Sequence, residues 1–392
     1  MPSSTDFVDA DARTYALRIT EVNSKEKVRN MDTMRLPSDV LESIFLRLSV
    51  SDVAKARVVC RQWKLLLCSH VFLTRYGDLN HENWVALFGE SGLNEGRVLV
   101  LYNATLSTWH RVALNFLPAE FTDVIAAVDG LLCVAGQING KNIMCVCNPI
   151  TRAYKILPCL HEVPSLPVAV MVRSNHKGYQ CTYYQLIVLR GDAVAVYSST
   201  LSTWVEFNTG LPYRPRSPVV CSGVIYGLQN MGSPWKSSWR LVYAKLGEGC
   251  KEVWYPLYRS EWGEILDILR QPRLLEAKEC LLLVGGLKHS VASNLCSTFV
   301  ILKLDLTTLE WCEAARMPHA FYKHFDLNMD FKIFGGGSSV YFSSKVSPRL
   351  VACDFIDGKG VWHWVRDCPV NSYQKTFFCK GFPFEPRLDC NP

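Results

Sequence analysis

The sequence predicts an α+β multidomain protein: a small unit of three short helices, then an all-β propeller of six blades. Between Val40 and Leu67 apolar residues recur at helical spacing. From residue 101 onward one strand-turn-strand phrase returns about every 50 residues. The chain has 392 residues, 49% of them hydrophobic, which is enough for one large packed unit beside a small one. The divisions expected are a flexible leader over 1–33, the helical unit over 34–75, a connection over 76–96, the propeller over 97–385 and a tail over 386–392.

The leader is polar and mixed in charge without a sustained period. Order begins at Leu36-Pro37, where Ser38 and Asp39 are candidate N-terminal capping residues. Val40, Leu41, Ile44, Phe45 and Leu48 follow on one side of a first helix. Ser51-Asp52 opens a second, carrying Val53, Ala54 and Ala56. A third places Val59, Trp63, Leu66 and Leu67 together while Arg61, Gln62 and Lys64 point elsewhere, and the unit ends near Phe72. A piece of about 40 residues rarely folds unaided. These apolar positions exceed what three short helices can hide among themselves, so the unit leans on a partner or on the following domain.

The order Leu36-Pro37-x-Asp39-x-Leu41-x-x-Ile44-Phe45-x-Arg47-Leu48, then Val59-Cys60-Arg61-x-Trp63, Ser69 and Phe72, resembles an F-box over its full length. The resemblance implies that the unit binds a Skp-family adaptor and through it a cullin scaffold and a ubiquitin-conjugating enzyme. It also implies that Leu36, Pro37, Leu41, Ile44, Phe45, Leu48 and Trp63 form or support the adaptor-facing surface. The residue types agree: a Leu-Pro lead-in fixes the entry of the first helix, and an apolar face with a Trp has the composition of an interface core.

In the remainder, the repeated phrase is an apolar strand ending in an aromatic or polar residue, a turn, an aromatic on the next strand, then Pro. Its copies carry their aromatic anchor at Trp109, Tyr154, Trp204, Trp254, Trp311 and Trp364, spaced by 45, 50, 50, 57 and 53 residues. Strands with small residues precede the copies, as in Gly130-Leu131-Leu132-Cys133, Gly223-Val224-Ile225-Tyr226 and Leu283-Val284-Gly285-Gly286, and suit backbones crowded near an axis. The first copy supplies the outer half of a blade. A strand-like run at Thr376-Phe377-Phe378-Cys379 would complete it and latch the ring between the two ends of the chain. A seventh blade follows only if 158–180 carries a further strand pair. Asp129-Gly130-Leu131-Leu132-Cys133, Asn148-Pro149-x-Thr151-Arg152 and Arg316-Met317-Pro318 resemble plant F-box/kelch-repeat proteins. The double Gly stands in only some repeats, and Tyr154 replaces a usual Trp, so individual blade boundaries are the weaker part of that resemblance.

The net charge of +6 is spread along the chain without a dense basic stripe, which argues against nucleic-acid binding. No run is long and apolar enough for a membrane helix, and no secretory signal is expected. Sixteen cysteines lie scattered, several inside apolar runs, as free thiols of a reducing compartment would. Nucleus, cytoplasm or both is the expected location.

No catalytic residue, metal site or cofactor is assigned. His319 and His324 read as isolated loop histidines, and Gly335-Gly336-Gly337 lacks the Lys-Ser or Lys-Thr of a phosphate loop. For an unknown protein substrate the candidates are Trp235, Trp239 and Arg240 in one aromatic and basic stretch, and Phe321 and Tyr322 in another. The reading that results is a non-catalytic substrate receptor of a ubiquitin ligase. Its alternatives are a propeller scaffold or transcriptional cofactor outside the ligase, and a kelch-type metal oxidase, for which the helical unit would have no use.

Overall fold

A computed structural model describes residues 36–89, 98–160, 167–174, 183–232, 238–246, 254–262, 265–277, 280–289, 295–325, 331–344, 349–366 and 379–392. The leader 1–33, Trp235 and residues 376–378 lie outside them. Helices come first: α1 (Ser38–Phe45), α2 (Val50–Ala56), α3 (Arg61–Leu67) and α4 (His70–Leu79). The last corrects the expected count of three. Its N-cap is Ser69, whose Oγ accepts from the Phe72 amide, and Phe72 and Tyr76, one turn apart, are buried. Ser49 caps α2 rather than Ser51, accepting from the Asp52 amide, and Pro37 rather than Ser38 holds the cap position of α1.

Six four-stranded antiparallel sheets follow. Five use consecutive strands, within 121–156, 168–208, 216–257, 269–316 and 331–364. The strand Val168–Ser174 opens the third blade, so the 158–180 stretch belongs to a blade already counted. Blade 1 takes Trp84–Gly89, Val98–Asn103 and Thr108–Ala113 from the front of the chain and Cys379–Phe384 from its end, with Trp84 opposite Phe384 and Leu87 opposite Gly381. The front therefore supplies three strands rather than half a blade. Trp84–Gly89, inside the expected connection, is the strand on which the ring closes. The first strands of all six blades touch in cyclic order around the axis.

Six apolar clusters lie one at each seam between neighbouring blades. Alternate residues of a strand feed different seams: Leu99 and Leu101 face blade 2, while Val100 and Tyr102 face blade 6. Burial on both faces explains why the strands read as continuous apolar runs.

The recurring phrase has a local cause. Asn103, Asn148 and Ser198 each end a third strand and Asp305 directly follows one, and each side-chain oxygen accepts one or two amides of the turn that follows. Each turn closes on a left-handed residue, Ser107, Arg152, Ser202 or Leu309. The aromatic then returns opposite the residue before the cap, as Trp109 on Tyr102 with centroids 4.5 Å apart and Trp204 on Tyr197 at 5.3 Å. Two of these indoles also staple blades together: Trp109 donates to the Arg366 carbonyl (3.1 Å) and Trp204 to the Pro158 carbonyl (2.9 Å). In blade 4 the outer-strand aromatic is Tyr255, opposite Tyr243, while Trp254 is buried at the seam with blade 3. In blade 6 a two-residue turn, Asp357-Gly358, places Trp362 opposite Cys353 and moves Trp364 to Val351.

Closure leaves no room at Gly381, where a Cβ would come 2.1 Å from the buried Phe334 ring. Gly381→Ala is expected to cost about 1–3 kcal/mol by overpacking, read as a lower denaturation midpoint at unchanged slope. An unchanged midpoint would show that the seam yields.

Candidate functional site

Helix α1 is apolar on two flanks. Leu41 and Phe45 turn inward onto Val53, Leu67 and Phe72, and Phe45 meets Trp63 edge-on at 4.9 Å. On the outer flank Leu36, Val40 and Ile44, spaced by four, remain 45%, 39% and 44% exposed. Val58 and Val59, in the link between α2 and α3, are 85% and 62% exposed, and Leu65 of α3 is exposed as well. None of these belongs to the unit's apolar core.

The seven residues read as adaptor-facing thus divide. Leu36, Pro37 and Ile44 are on the surface, Leu41 and Phe45 are core, and Leu48 and Trp63 are half-buried behind them. Val40, Val58 and Leu65 were not among the seven. Val40 continues the spacing from Leu36 to Ile44, and Val58-Val59 are adjacent apolar residues that one helix face cannot both bury, so both signals stand in the sequence.

The unit is fixed to the ring through polar groups and the C-terminal tail. Glu82 accepts from the Val50 amide at the start of α2, from the Trp84 indole and from the Asn103 amide group. Beyond the closing strand, Leu388 inserts into the helical core, so residues expected to be a plain tail are structural. Arg387 is buried with both ends of its guanidinium on Asp389 (2.9 and 2.7 Å) and Nη1 on Glu385 (3.2 Å). Burial opposes its charge, but Asp389 outweighs that and its pKa is pushed up. Fully buried Asn148 donates from Nδ2 to the Arg387 and Cys390 carbonyls (2.9 Å each) while Oδ1 caps its own turn. Gly77 of α4 lets the helix approach Arg387, since a Cβ there would lie 2.5 Å from Nη2.

The tail leaves the end of the closing strand toward the helices. In antiparallel blades the ends of first and third strands therefore face them, and the connections between blades open on the opposite face. The substrate candidates among the described residues, Trp239, Arg240, Phe321 and Tyr322, belong to that far face. Arg240 is exposed. Trp239 is half-buried against the seam of blades 4 and 5, its amide on Asp267 (2.7 Å). In the one-turn helix His319–Tyr322, Phe321 packs on Trp364, while Tyr322 is buried on Phe299 and donates to the Cys296 carbonyl (2.7 Å). Tyr322 is thus a core residue rather than a surface anchor.

Among the described residues no three His, Cys, Asp or Glu side chains stand close enough to hold a metal ion. Burial pushes the Cys147 thiol up to about 12, burial with Asp354 brings Cys353 to about 12, and burial with Asp389 brings Cys390 to about 11. These groups are poor nucleophiles near neutrality.

Residues 34–75 match the F-box domain family. SKP1-interacting partner 15 of Arabidopsis thaliana is 35% identical over 380 residues, which cover 91% of this chain and 98% of that protein. The chain belongs to the plant F-box/kelch-repeat family. An Arabidopsis F-box/kelch-repeat protein is 25% identical over 415 residues (94% and 92% of the two chains), and the Arabidopsis protein UNUSUAL FLORAL ORGANS is 22% identical over 375 (86% and 79%). In this F-box protein the helical unit is the F-box, and the ring is its kelch-type propeller.

Two outcomes follow from the junction and the thiols. Asn148→Ser keeps a turn acceptor, as Ser198 does in blade 3, but is too short to hold the tail carbonyls. It is expected to speed amide exchange over 385–390 and α4 and to lower stability by about 1–3 kcal/mol, whereas unchanged exchange would mean the tail is held without Asn148. Brief alkylation of the native chain at neutral pH should modify exposed Cys60, Cys68, Cys159 and Cys312 and spare Cys133, Cys147, Cys353 and Cys390, as read by peptide mass spectrometry.

Proposed function

We propose that this chain is the substrate-receiving subunit of a Skp-cullin-F-box ubiquitin ligase, working in the nucleus, the cytoplasm or both. The F-box binds a Skp-family adaptor, and the propeller holds the protein to be ubiquitylated. The observation that carries this reading is the outer flank of α1, where Leu36, Val40 and Ile44 stay exposed although a whole propeller is attached to the same unit. Val58 and Val59 of the same small unit are exposed as well, and apolar side chains left to solvent in this number mark an interaction site. The relative named for its interaction with SKP1 supports the choice of partner, since it aligns along nearly its whole length.

In this reading transfer chemistry belongs to the partners. The chain raises the effective concentration of substrate near the conjugating enzyme, and a propeller anchored to the F-box by Glu82, Asn148 and Leu388 fixes the direction in which that substrate is presented.

Leu36→Ala with Pro37→Ala is expected to weaken capture of the Skp adaptor by about 2–4 kcal/mol, as loss of interface anchors does. Ile44→Asp should do at least as much. Ile356→Asp, which changes an exposed apolar residue of blade 6, is the control and should leave capture intact. Full adaptor affinity in both F-box variants, measured by titration calorimetry, would reject this docking surface.

A further inference from the structure

Helix α3 has two faces of opposite character. Leu67 is buried in the helical core, with Trp63 and Leu66 half-buried beside it. On the other side Arg61, Lys64, Leu65 and Cys68 stand at i, i+3, i+4 and i+7, and all four are exposed. Val58 and Val59 lead into this helix. Three aliphatic side chains and two cations therefore lie in the open within residues 58–65. Arg61 and Lys64 have no ion pair with a described residue, whereas Lys55 of α2 pairs with Asp52 and Arg75 of α4 with Glu42. A surface that is apolar with a positive fringe fits a segment that is acidic and carries large apolar side chains.

The chain itself carries such a segment. Asp6-Phe7-Val8-Asp9-Ala10-Asp11 holds three carboxylates and two large apolar side chains, and the first Lys or Arg of the sequence is Arg13. Nearer the helices the leader turns basic, with Lys25, Lys27, Arg29 and Arg35 against Glu26 and Asp32, so its acidity is confined to its start. Asp11 stands 25 positions before Leu36. As a random coil, 25 residues span about 25–30 Å, whereas helices of seven to ten residues are only about 10–15 Å long. The acidic start is therefore tethered within reach of α3, at an effective concentration on the order of a millimolar. Exposed ion pairs are individually weak, so the tether and the apolar contact decide whether the segment docks.

We propose that residues 6–11 dock on the exposed face of α3 and the link before it, their carboxylates meeting Arg61 and Lys64 while Phe7 and Val8 cover Val58, Val59 and Leu65. In that position the leader is an intramolecular competitor of the adaptor. The proposal rests on the reading of the helical unit as the adaptor-binding part. Val58 and Val59 are among the exposed residues on which that reading stands, and one surface cannot hold the segment and the adaptor together. Adaptor binding must displace the leader, and the apparent affinity is lowered by the fraction of chains whose surface is open. Added salt screens the exposed charges and shifts that fraction toward the open form.

The test uses the full chain, free and titrated with a Skp adaptor. In the free chain a carbodiimide, which joins a carboxylate to an amine in direct contact, should link residues 6–11 to Lys64, as read by peptide mass spectrometry. Asp6→Lys, Asp9→Lys and Asp11→Lys made together should abolish that link and raise adaptor affinity about three- to tenfold in titration calorimetry. Adding Arg61→Glu and Lys64→Glu to those three reverses both partners and should restore the link. Phe7→Ser with Val8→Ser leaves the charge alone and should raise adaptor affinity in the same direction. A gain from the charge variant only would mean that leader charge steers the adaptor, and would overturn the docked segment. Absence of the link in the wild-type chain, an adaptor affinity unchanged or lowered by the Lys substitutions, or links formed between isotopically distinct copies would overturn it as well. Failure of the wild-type chain to bind any Skp adaptor would instead remove the ligase reading, and the link in the free chain would still decide whether the leader docks.

Discussion

Everything in this molecule is held by one strand pairing, that of Cys379–Phe384 with Trp84–Gly89. Without it blade 1 would lose its inner strand, the ring would present two open edges, and the seams on either side would each lose a wall. Phe384 belongs to the seam of blades 1 and 2, and Cys379 to that of blades 6 and 1. The strand also makes the most non-local pairing among the described strands, so its closure entropy is large and is recovered only when both seams fill.

The same strand sets where the F-box points. Eight residues follow it, and they do not trail into solvent: Arg387 is buried on Asp389, Leu388 enters the helical core and Cys390 is buried beside Asn148. Ring closure and docking of the helices therefore draw on one continuous segment of chain. The helical unit is thereby fixed relative to the ring, whereas a flexible linker would leave only a mean separation between them.

Two faces result, and they differ in chemistry. The helical side offers exposed aliphatic residues on α1 and on the link between α2 and α3, suited to a shape-complementary apolar partner. The far face, where the connections between blades open, carries exposed Arg240 beside half-buried Trp239. Burial of thiols such as Cys133 and Cys147 in the seams leaves little nucleophilic chemistry inside the ring.

The sequence by itself determined whatever depends on local pattern. The helical unit was legible because Leu36, Val40, Ile44 and their inward neighbours Leu41 and Phe45 follow the period of a helix, and the blades because each cap-turn-aromatic phrase is closed within about ten residues. It misplaced features governed by register or by distant partners. Trp254 and Tyr255 are adjacent aromatics, and only pairing with Tyr243 decides which one occupies the outer strand. Tyr322 looked like a surface anchor until Phe299 and the Cys296 carbonyl covered it. Leu388 looked like tail because the helices that bury it lie some 300 residues earlier. The lock between inner strands was hidden for the same reason: Ser217 and Leu274 are 57 residues apart and meet only because neighbouring blades bring their inner strands side by side. Periodicity records what a residue's near neighbours require of it, but which faces meet is decided by closure of the ring.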